Sequence, residues 1–168
     1  MGIFDRTDLG RRTMRLSNWD YAQQAFYFVT ICAYERLCLF GEVREGKMVL
    51  NEAGEMVVRE LVYSCQLRPI FLLDSYIVMP NHIHGILLFD KPEITGWETN
   101  KFGRQSRNLG AVIRAFKSTV KRYANDHKID FAWQPLFHDD IIYNETELNN
   151  IRHYILQNPC KWLKKYSK

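Results

Sequence analysis

The segment Tyr76-Ile-Val-Met-Pro-Asn-His-Ile-His-Gly-Ile-Leu-Leu-Phe89 decides the fold of this chain, because it is an apolar run interrupted by a turn and two histidines. Pro80 and Asn81 are turn-forming residues, and the residues around them are mostly β-branched or aromatic. The segment therefore predicts two buried strands, residues 71–79 and 82–89, joined as an antiparallel hairpin.

The two histidines of this hairpin are the first candidates for a functional site. Side chains alternate between the faces of a strand, so His82 and His84 should share one face, with Cα atoms about 7 Å apart. Two imidazoles placed in this way can converge on one divalent ion or one phosphate. The alternative is that both are ordinary strand residues whose ring nitrogens are satisfied by their neighbours.

Outward from the hairpin, the chain predicts further strands and helices. Residues 25–34 are aromatic and β-branched and predict the first strand, and Gly46 predicts a turn between two short strand-like pieces. Asn51 is expected to cap a helix that runs to about Cys65. Asn108 is expected to cap an amphipathic helix with an apolar stripe at three- and four-residue spacing: Leu109, Val112, Ile113, Phe116, Val120 and Tyr123.

The end of the chain predicts a bent strand over residues 131–143 and a last helix that begins near Glu145. The resulting order is strand, helix, strand, strand, helix, strand and helix. It predicts an α+β fold of the ferredoxin-like split βαβ type, with a four-stranded antiparallel sheet, two helices on one face and a C-terminal helix. Because such folds have many functions, the site must decide the function.

Composition and charge are those of one globular domain. The 168 residues carry a net charge of +4, which permits a nucleic-acid partner without requiring one. The four cysteines contain no Cys-x-x-Cys pair, so neither a zinc knuckle nor a disulfide framework is indicated. No segment resembles a signal peptide or a membrane helix, and we expect a cytoplasmic protein. Residues 1–20 are polar and basic and predict an N-terminal arm, followed by a single domain over residues 21–168.

Tyr154 and Asn158 are the second half of the predicted site. They lie four residues apart and therefore share one face of the last helix. Pro159 disfavours helical geometry at Asn158, so we expect the amide to lie at a break in the helix, where it can turn toward a ligand. The alternative is that Asn158-Pro159 is an ordinary helix stop and that Tyr154 is a packing residue.

Together these side chains predict an open metal site with a nucleophile beside it. His82, His84 and the side-chain oxygen of Asn158 are donors that suit Mg²⁺ or Mn²⁺ bound to a phosphate. The ion would polarise a scissile phosphate, and Tyr154 would attack it to form a covalent phosphotyrosine. Since a phenol is mostly protonated at neutral pH, this attack needs the charge of the ion or a nearby base.

In these motifs the sequence resembles the HUH single-tyrosine transposases, specifically the REP-associated tyrosine transposases with an IS200-like transposase domain. The resemblance rests on Met79-Pro-Asn-His-Ile-His-Gly85 followed by Tyr154-Ile and Asn158-Pro159. Further matching motifs follow the same order over nearly the whole chain: Arg11-Arg12 with Arg15-Leu16, Tyr27-Phe-Val-Thr30, Leu39-Phe-Gly41, Phe116-Lys-Ser118 and Trp133-Gln134.

The resemblance implies a transposase that cleaves and rejoins single-stranded DNA at hairpin-containing sites. It makes His82 and His84 metal ligands, Asn158 the third ligand, and Tyr154 the nucleophile that yields a 5′-phosphotyrosine and a free 3′ hydroxyl. The expected DNA-binding residues are Arg11, Arg12, Arg15, Arg114, Lys117, Lys121 and Lys161. The protein would be nucleoid-associated when bound to DNA, and the sequence does not decide between a monomer and a homodimer.

Two departures from the family pattern bear on the DNA that is recognised. Tyr143 stands where an Arg is common, and Phe137 stands where a Tyr is common.

Two alternative functions stay open. One is a host-retained HUH endonuclease acting on chromosomal hairpin repeats, and the other is a ferredoxin-like nucleic-acid-binding module without catalysis.

Overall fold

The computed structural model describes Trp19, Tyr21 and residues 24–68, 71–90 and 108–166. These described residues form strands β1 (Ala25–Cys32), β2 (Gly41–Arg44), β3 (Lys47–Leu50), β4 (Phe71–Met79), β5 (His82–Phe89) and β6 (His138–Ile142), and helices α1 (Glu52–Gln66), α2 (Leu109–Asp126) and α3 (Glu145–Tyr166). Of the predicted arm only Trp19 is described, so Arg11, Arg12 and Arg15 lie outside the described residues. The division into an arm and a domain stays a prediction.

Within the described residues, four strands form an antiparallel sheet in the order β4-β5-β1-β6. β5 separates β1 from β4, and β1 separates β5 from β6, so each β-α-β unit is split by a strand of the other. This confirms the ferredoxin-like α+β prediction, including the bounds of the histidine hairpin. β2 and β3 pair separately around Gly46, which has a φ of 75°.

Different helices cover the two faces of the sheet. On β1, Tyr27 and Val29 belong to the main core, together with residues of α1 and α2. Phe28 lies between them and points to the opposite face, where it packs on a second cluster that includes α3: Ile86, Ile142, Leu148 and Ile155. His82 and His84 have the same parity as Ile86 on β5, so they lie on the α3 face.

Two helices begin at asparagines, as predicted. The Asn51 side chain accepts a hydrogen bond from the Gly54 N–H at 2.9 Å, and the Asn108 side chain accepts one from the Ala111 N–H at 3.0 Å. Each cap satisfies a backbone donor that has no partner inside the helix. None of the helices in the described part of the chain combines the length and the hydrophobicity needed to cross a membrane.

The strand predicted over residues 131–143 is shorter in the structure. Residues 138–142 pair with β1 as β6, whereas Trp133 makes an isolated bridge to Ala33. Pro135 has no N–H to donate, and Leu136 has a φ of 65°, so the strand cannot continue between these two pairings.

The break predicted at Asn158 is wrong, because α3 runs through Pro159 to residue 166. Proline removes the N–H that would bond the carbonyl four residues earlier. The helix beyond it is held by tertiary contacts: the Trp162 ring lies 5.9 Å from the His82 ring, and the Cys160 Sγ lies 3.8 Å from a carbonyl of the β2–β3 hairpin. Packing therefore outweighs the local preference, and Asn158 has a helical position.

Candidate active site

α3 and β5 bring the predicted site residues together on one face of the sheet. The Tyr154 hydroxyl lies 3.3 Å from Nε2 of His84, and the His82 and His84 ring centroids are 4.5 Å apart. Two helical turns after Tyr154, Trp162 lies against His82. Residues 154, 158 and 162 share one helix face at four-residue spacing. The helix position of Asn158 is therefore between those of the two residues that contact the histidines.

The candidate site is buried around His84 and Asn158 and open at Tyr154. His84 and Asn158 are each 6% exposed, whereas Tyr154 is 38% exposed. Phe28 stacks on the His84 ring at 5.1 Å and meets the Tyr154 ring edge-on at 6.1 Å. The phenol can therefore be reached by a large substrate, while the imidazole behind it is held in a packed environment.

Both histidines are neutral at pH 7. Burial, followed by the positive charges of Arg36 and Lys165, lowers the pKa of His82 to about 4. Burial, followed by the neighbouring His82, lowers the pKa of His84 to about 3. A neutral imidazole has one N–H and one lone pair, so each ring can act as a metal ligand or as a proton acceptor.

The Asn81 side chain determines which nitrogen of His82 carries the hydrogen. The Asn81 Nδ2 donates to the Arg36 carbonyl at 3.0 Å, and a backbone carbonyl can only accept. The Asn81 Oδ1 therefore faces His82, where it lies 2.7 Å from Nδ1. Because an amide oxygen only accepts, Nδ1 carries the hydrogen, and the Nε2 lone pair is left for a ligand.

Thr30 holds the second imidazole in a similar way. Thr30 lies opposite His84 in the β1–β5 pair, and its Oγ1 is 2.9 Å from Nδ1 of His84. When this hydroxyl accepts the Nδ1 hydrogen, the Nε2 lone pair of His84 faces Tyr154. An outer partner on one ring nitrogen is the usual arrangement of a metal-binding histidine, because it orients the ring and selects the tautomer.

These residues fit a weakly held divalent ion. The donors would be Nε2 of His82, Nε2 of His84 and the amide oxygen of Asn158. Within the part of the chain that the structure describes, no three His, Cys, Asp or Glu side chains are grouped to hold a metal ion. All three donors are neutral, which suits Mg²⁺ or Mn²⁺ when the phosphate of a substrate supplies the balancing charge. The ion itself stays a prediction.

The predicted DNA-binding lysines of α2 make contacts within the protein. The Lys117 Nζ donates to the carbonyls of Gln134 and Leu136 at 2.6 and 2.9 Å, and the Lys121 Nζ donates to another carbonyl of the segment before β6. Burial lowers the pKa of Lys117. These two amines tie the segment to α2. Arg114 is an exposed residue of the same helix. DNA contact stays a prediction for all three.

Lys161 lies beside the candidate nucleophile. Its Nζ is 4.8 Å from the centroid of the Tyr154 ring. A cation at this distance from an aromatic ring is favourable, and it would also attract a phosphate that approaches the phenol. The position favours the predicted contact between Lys161 and DNA, which stays untested.

Sequence reasoning missed three residues that hold the histidines in place, namely Phe28, Thr30 and Asn81. The sequence marks Asn81 as a turn residue and as part of the motif Met79–Gly85, but it does not show that the side chain contacts His82. Thr30 could have been found only from the register that places it opposite His84. Tyr143, one of the departures from the family pattern, is 68% exposed and contacts Trp19 edge-on at 6.2 Å between ring centroids.

Comparisons with other proteins assign the fold first and then the family. A solved structure of a REP-associated tyrosine transposase bound to a REP hairpin has a TM-score of 0.61 and 20% identity, covering 88% of this chain and 74% of that chain. This chain therefore shares its fold. The sequence is also 30% identical over 162 residues to an uncharacterized protein of Haemophilus influenzae, covering 90% of this chain and 89% of that protein. The chain belongs to the family of that protein. No protein-family model matches the sequence.

Proposed function

We propose that this protein is a metal-dependent transposase that cleaves and rejoins single-stranded DNA at hairpin-containing sites through a covalent 5′-phosphotyrosine. The observation that carries the proposal is the approach of the Tyr154 hydroxyl to within 3.3 Å of Nε2 of His84, beside a second neutral imidazole. The fold shared with a REP-associated tyrosine transposase, in a structure that contains a REP hairpin, supports the same class of reaction and partner.

In the proposed reaction, the Tyr154 oxygen attacks the scissile phosphorus and forms a phosphotyrosine bond. The bond between phosphorus and the 3′ oxygen breaks, and that oxygen leaves as a 3′ hydroxyl. One proton leaves the phenol and one is gained by the 3′ oxygen, so the step releases no net proton. The step replaces one phosphate ester bond, to the 3′ oxygen, by another, to the Tyr154 oxygen. Another 3′ hydroxyl can therefore attack the phosphotyrosine and rejoin the strands.

The histidines and the tyrosine have separate roles in this proposal. A divalent ion held by His82, His84 and Asn158 would polarise the scissile phosphate and favour loss of the phenol proton. In the structure, the Tyr154 hydroxyl lies 3.3 Å from Nε2 of His84, the nitrogen whose lone pair such an ion would use. With an ion on His84, the Tyr154 hydroxyl would have to move away from this nitrogen. The Tyr154 side chain can turn toward the substrate, because the residue is 38% exposed.

The test is covalent capture of DNA. The protein is incubated with Mn²⁺ and a library of labelled single-stranded hairpins, and the products are separated under denaturing conditions and sequenced. We expect adducts with the wild type and none with Tyr154→Phe, which should still bind the DNA. Tyr63→Phe is the matched control, because its phenol is 52% exposed on α1, which covers the face of the sheet opposite to α3. Adducts formed by Tyr154→Phe would refute the assignment of the nucleophile.

The same experiment separates the alternative functions. Transfer of the attached strand to a second DNA hydroxyl is expected of a transposase. Cleavage of hairpin repeats without transfer would indicate a host-retained endonuclease with the same chemistry. Binding of hairpins without adducts, in the presence of Mg²⁺ or Mn²⁺, would indicate a nucleic-acid-binding module of this fold.

A further inference from the structure

A small cavity opens beside the histidines, and no step of the proposed reaction uses it. Its volume is about 120 Å³, and it is lined by Thr30 and Cys32 of β1 and by residues 134–138, which lead into β6. The even-numbered residues of β1 share the sheet face of the histidines, because Thr30 lies opposite His84 and Cys32 lies opposite His82. The cavity is therefore a lateral extension of the candidate active site.

Thr30 links this cavity directly to the nucleophile. Its hydroxyl lies 2.9 Å from one ring nitrogen of His84, and the other ring nitrogen lies 3.3 Å from the Tyr154 hydroxyl. One imidazole ring thus separates the wall of the cavity from the phenol. A nucleotide that presents its phosphate to Tyr154 would have its neighbouring nucleotide within reach of the cavity.

The cavity wall combines the two surfaces that a nucleobase requires. Leu136, which is 53% exposed, supplies apolar surface for the flat face of a base, whereas Phe137 lines the cavity and also packs against the main core. Thr30, Gln134 and His138 bring a hydroxyl, an amide and an imidazole to the lining. Unpaired bases are held by proteins in this way, through stacking on their faces and hydrogen bonds to their edges.

Hydrogen bonds to its backbone hold the segment that closes the cavity. The Gln134 N–H donates to the Cys32 carbonyl at 2.9 Å. On the other side, the Lys117 Nζ donates to the carbonyls of Gln134 and Leu136. The cavity is therefore preformed, as small-ligand sites usually are, and binding does not require this segment to become ordered first.

We propose that this cavity binds the unpaired base of a nucleotide that flanks the scissile phosphate. The proposal rests on the proposed function, because it needs a DNA strand that passes Tyr154. A volume of about 120 Å³ suits one base rather than a base pair, which agrees with a single-stranded substrate. The cavity would select the base at one position and thereby help to set the cleavage site.

The test is an abasic scan of a hairpin substrate that the covalent-capture experiment has identified. A series of oligonucleotides carries one abasic site at successive positions on either side of the cleaved bond, and the initial rate of adduct formation is measured with Mn²⁺. For the wild type, we expect the abasic site at one position to lower the rate by about 5- to 150-fold, the range for loss of one stacked base.

Two variants show whether that effect comes from the cavity. Leu136→Ala should lower the rate with the intact substrate and should make the enzyme nearly insensitive to the abasic site at the same position, and it keeps the carbonyl that accepts from Lys117. Gln134→Ala keeps the backbone contacts of the segment and should alter the preference among the four bases at that position alone. Leu156→Ala is the control, because Leu156 is 73% exposed on α3 and should respond to the scan as the wild type does.

The outcomes separate this proposal from the proposed function. Normal adducts whose abasic sensitivity is the same in the wild type and in Leu136→Ala, with an unchanged base preference in Gln134→Ala, would overturn the role of the cavity and leave the proposed function intact. Absence of adducts with every substrate would overturn the proposed function, and the role of the cavity with it. Thermal unfolding of each variant identifies a loss of rate that is caused by misfolding.

Discussion

Replacing Asn81 tests how His82 is prepared for a ligand. Asn81→Asp keeps an oxygen that can accept from Nδ1 of His82 but removes the amide that donates to the Arg36 carbonyl, and Asn81→Ala removes both groups. Loss of an outer partner of a metal-binding histidine typically weakens metal affinity by about 10- to 100-fold. We expect a loss of that size in Asn81→Ala, and affinity within a few-fold of the wild type in Asn81→Asp.

Two measurements are needed, of which one does not depend on the metal. Long-range ¹⁵N–¹H spectra of the metal-free protein at pH 7 show which imidazole nitrogen carries the hydrogen. They should report Nδ1–H for His82 in the wild type and in Asn81→Asp, and a mixture of tautomers in Asn81→Ala. Calorimetric titration with Mn²⁺ then gives the affinities. The Asn81→Asp substitution should also raise the pKa of His82 above about 4, because a carboxylate would lie beside the ring.

A hydrogen on Nε2 of His82 in the wild type would refute this account of the ring, whatever the protein binds. If Asn81→Ala disturbs the tautomer but leaves the Mn²⁺ affinity unchanged, His82 is oriented by Asn81 but is not a ligand. Because Asn81 is 7% exposed, the unfolding transition of each variant should be measured alongside, so that a general loss of structure is recognised.

Three further predictions concern the helix, the histidines and the basic residues. Ile155→Ala should lower the free energy of unfolding by about 2–4 kcal/mol, because Ile155 is 1% exposed and packs α3 on the sheet. Leu156→Ala should change it by no more than about 0.5 kcal/mol, and equal values for the two variants in urea unfolding would contradict this packing. The lowered pKa values of His82 and His84 mean that the unfolded chain binds protons below pH 6.5 while the folded protein does not. Stability should therefore fall between pH 7 and pH 5, by about 2 kcal/mol per histidine at pH 5, and urea unfolding of a variant with both histidines replaced by glutamine should show a correspondingly smaller fall. Arg114→Gln should reduce the slope of log DNA affinity against log salt concentration by about one unit. Lys117→Met should chiefly lower the unfolding temperature, because the Lys117 amine donates to two backbone carbonyls. Equal changes of slope in the two variants would show that both side chains contact phosphates.

The amino-acid sequence by itself determined the elements of this fold and the residues worth examining. The hairpin bounds followed from the apolar run and the turn at Pro80 and Asn81, and two helix starts followed from Asn51 and Asn108. These signals depend only on neighbours a few residues away. For the same reason His82 and His84 could be placed on one face. The local rule failed at Pro159, where packing of α3 maintains the helix.

Only the tertiary structure decided what surrounds those residues. The contact of Tyr154 with His84 joins positions 70 residues apart, and that of Thr30 with His84 joins positions 54 residues apart. Both depend on strand register and on how α3 lies across the sheet, which local propensities do not specify. The capture of Lys117 by backbone carbonyls and the cavity beside Thr30 have the same origin, because they exist only once α2, β1 and the segment before β6 have packed together.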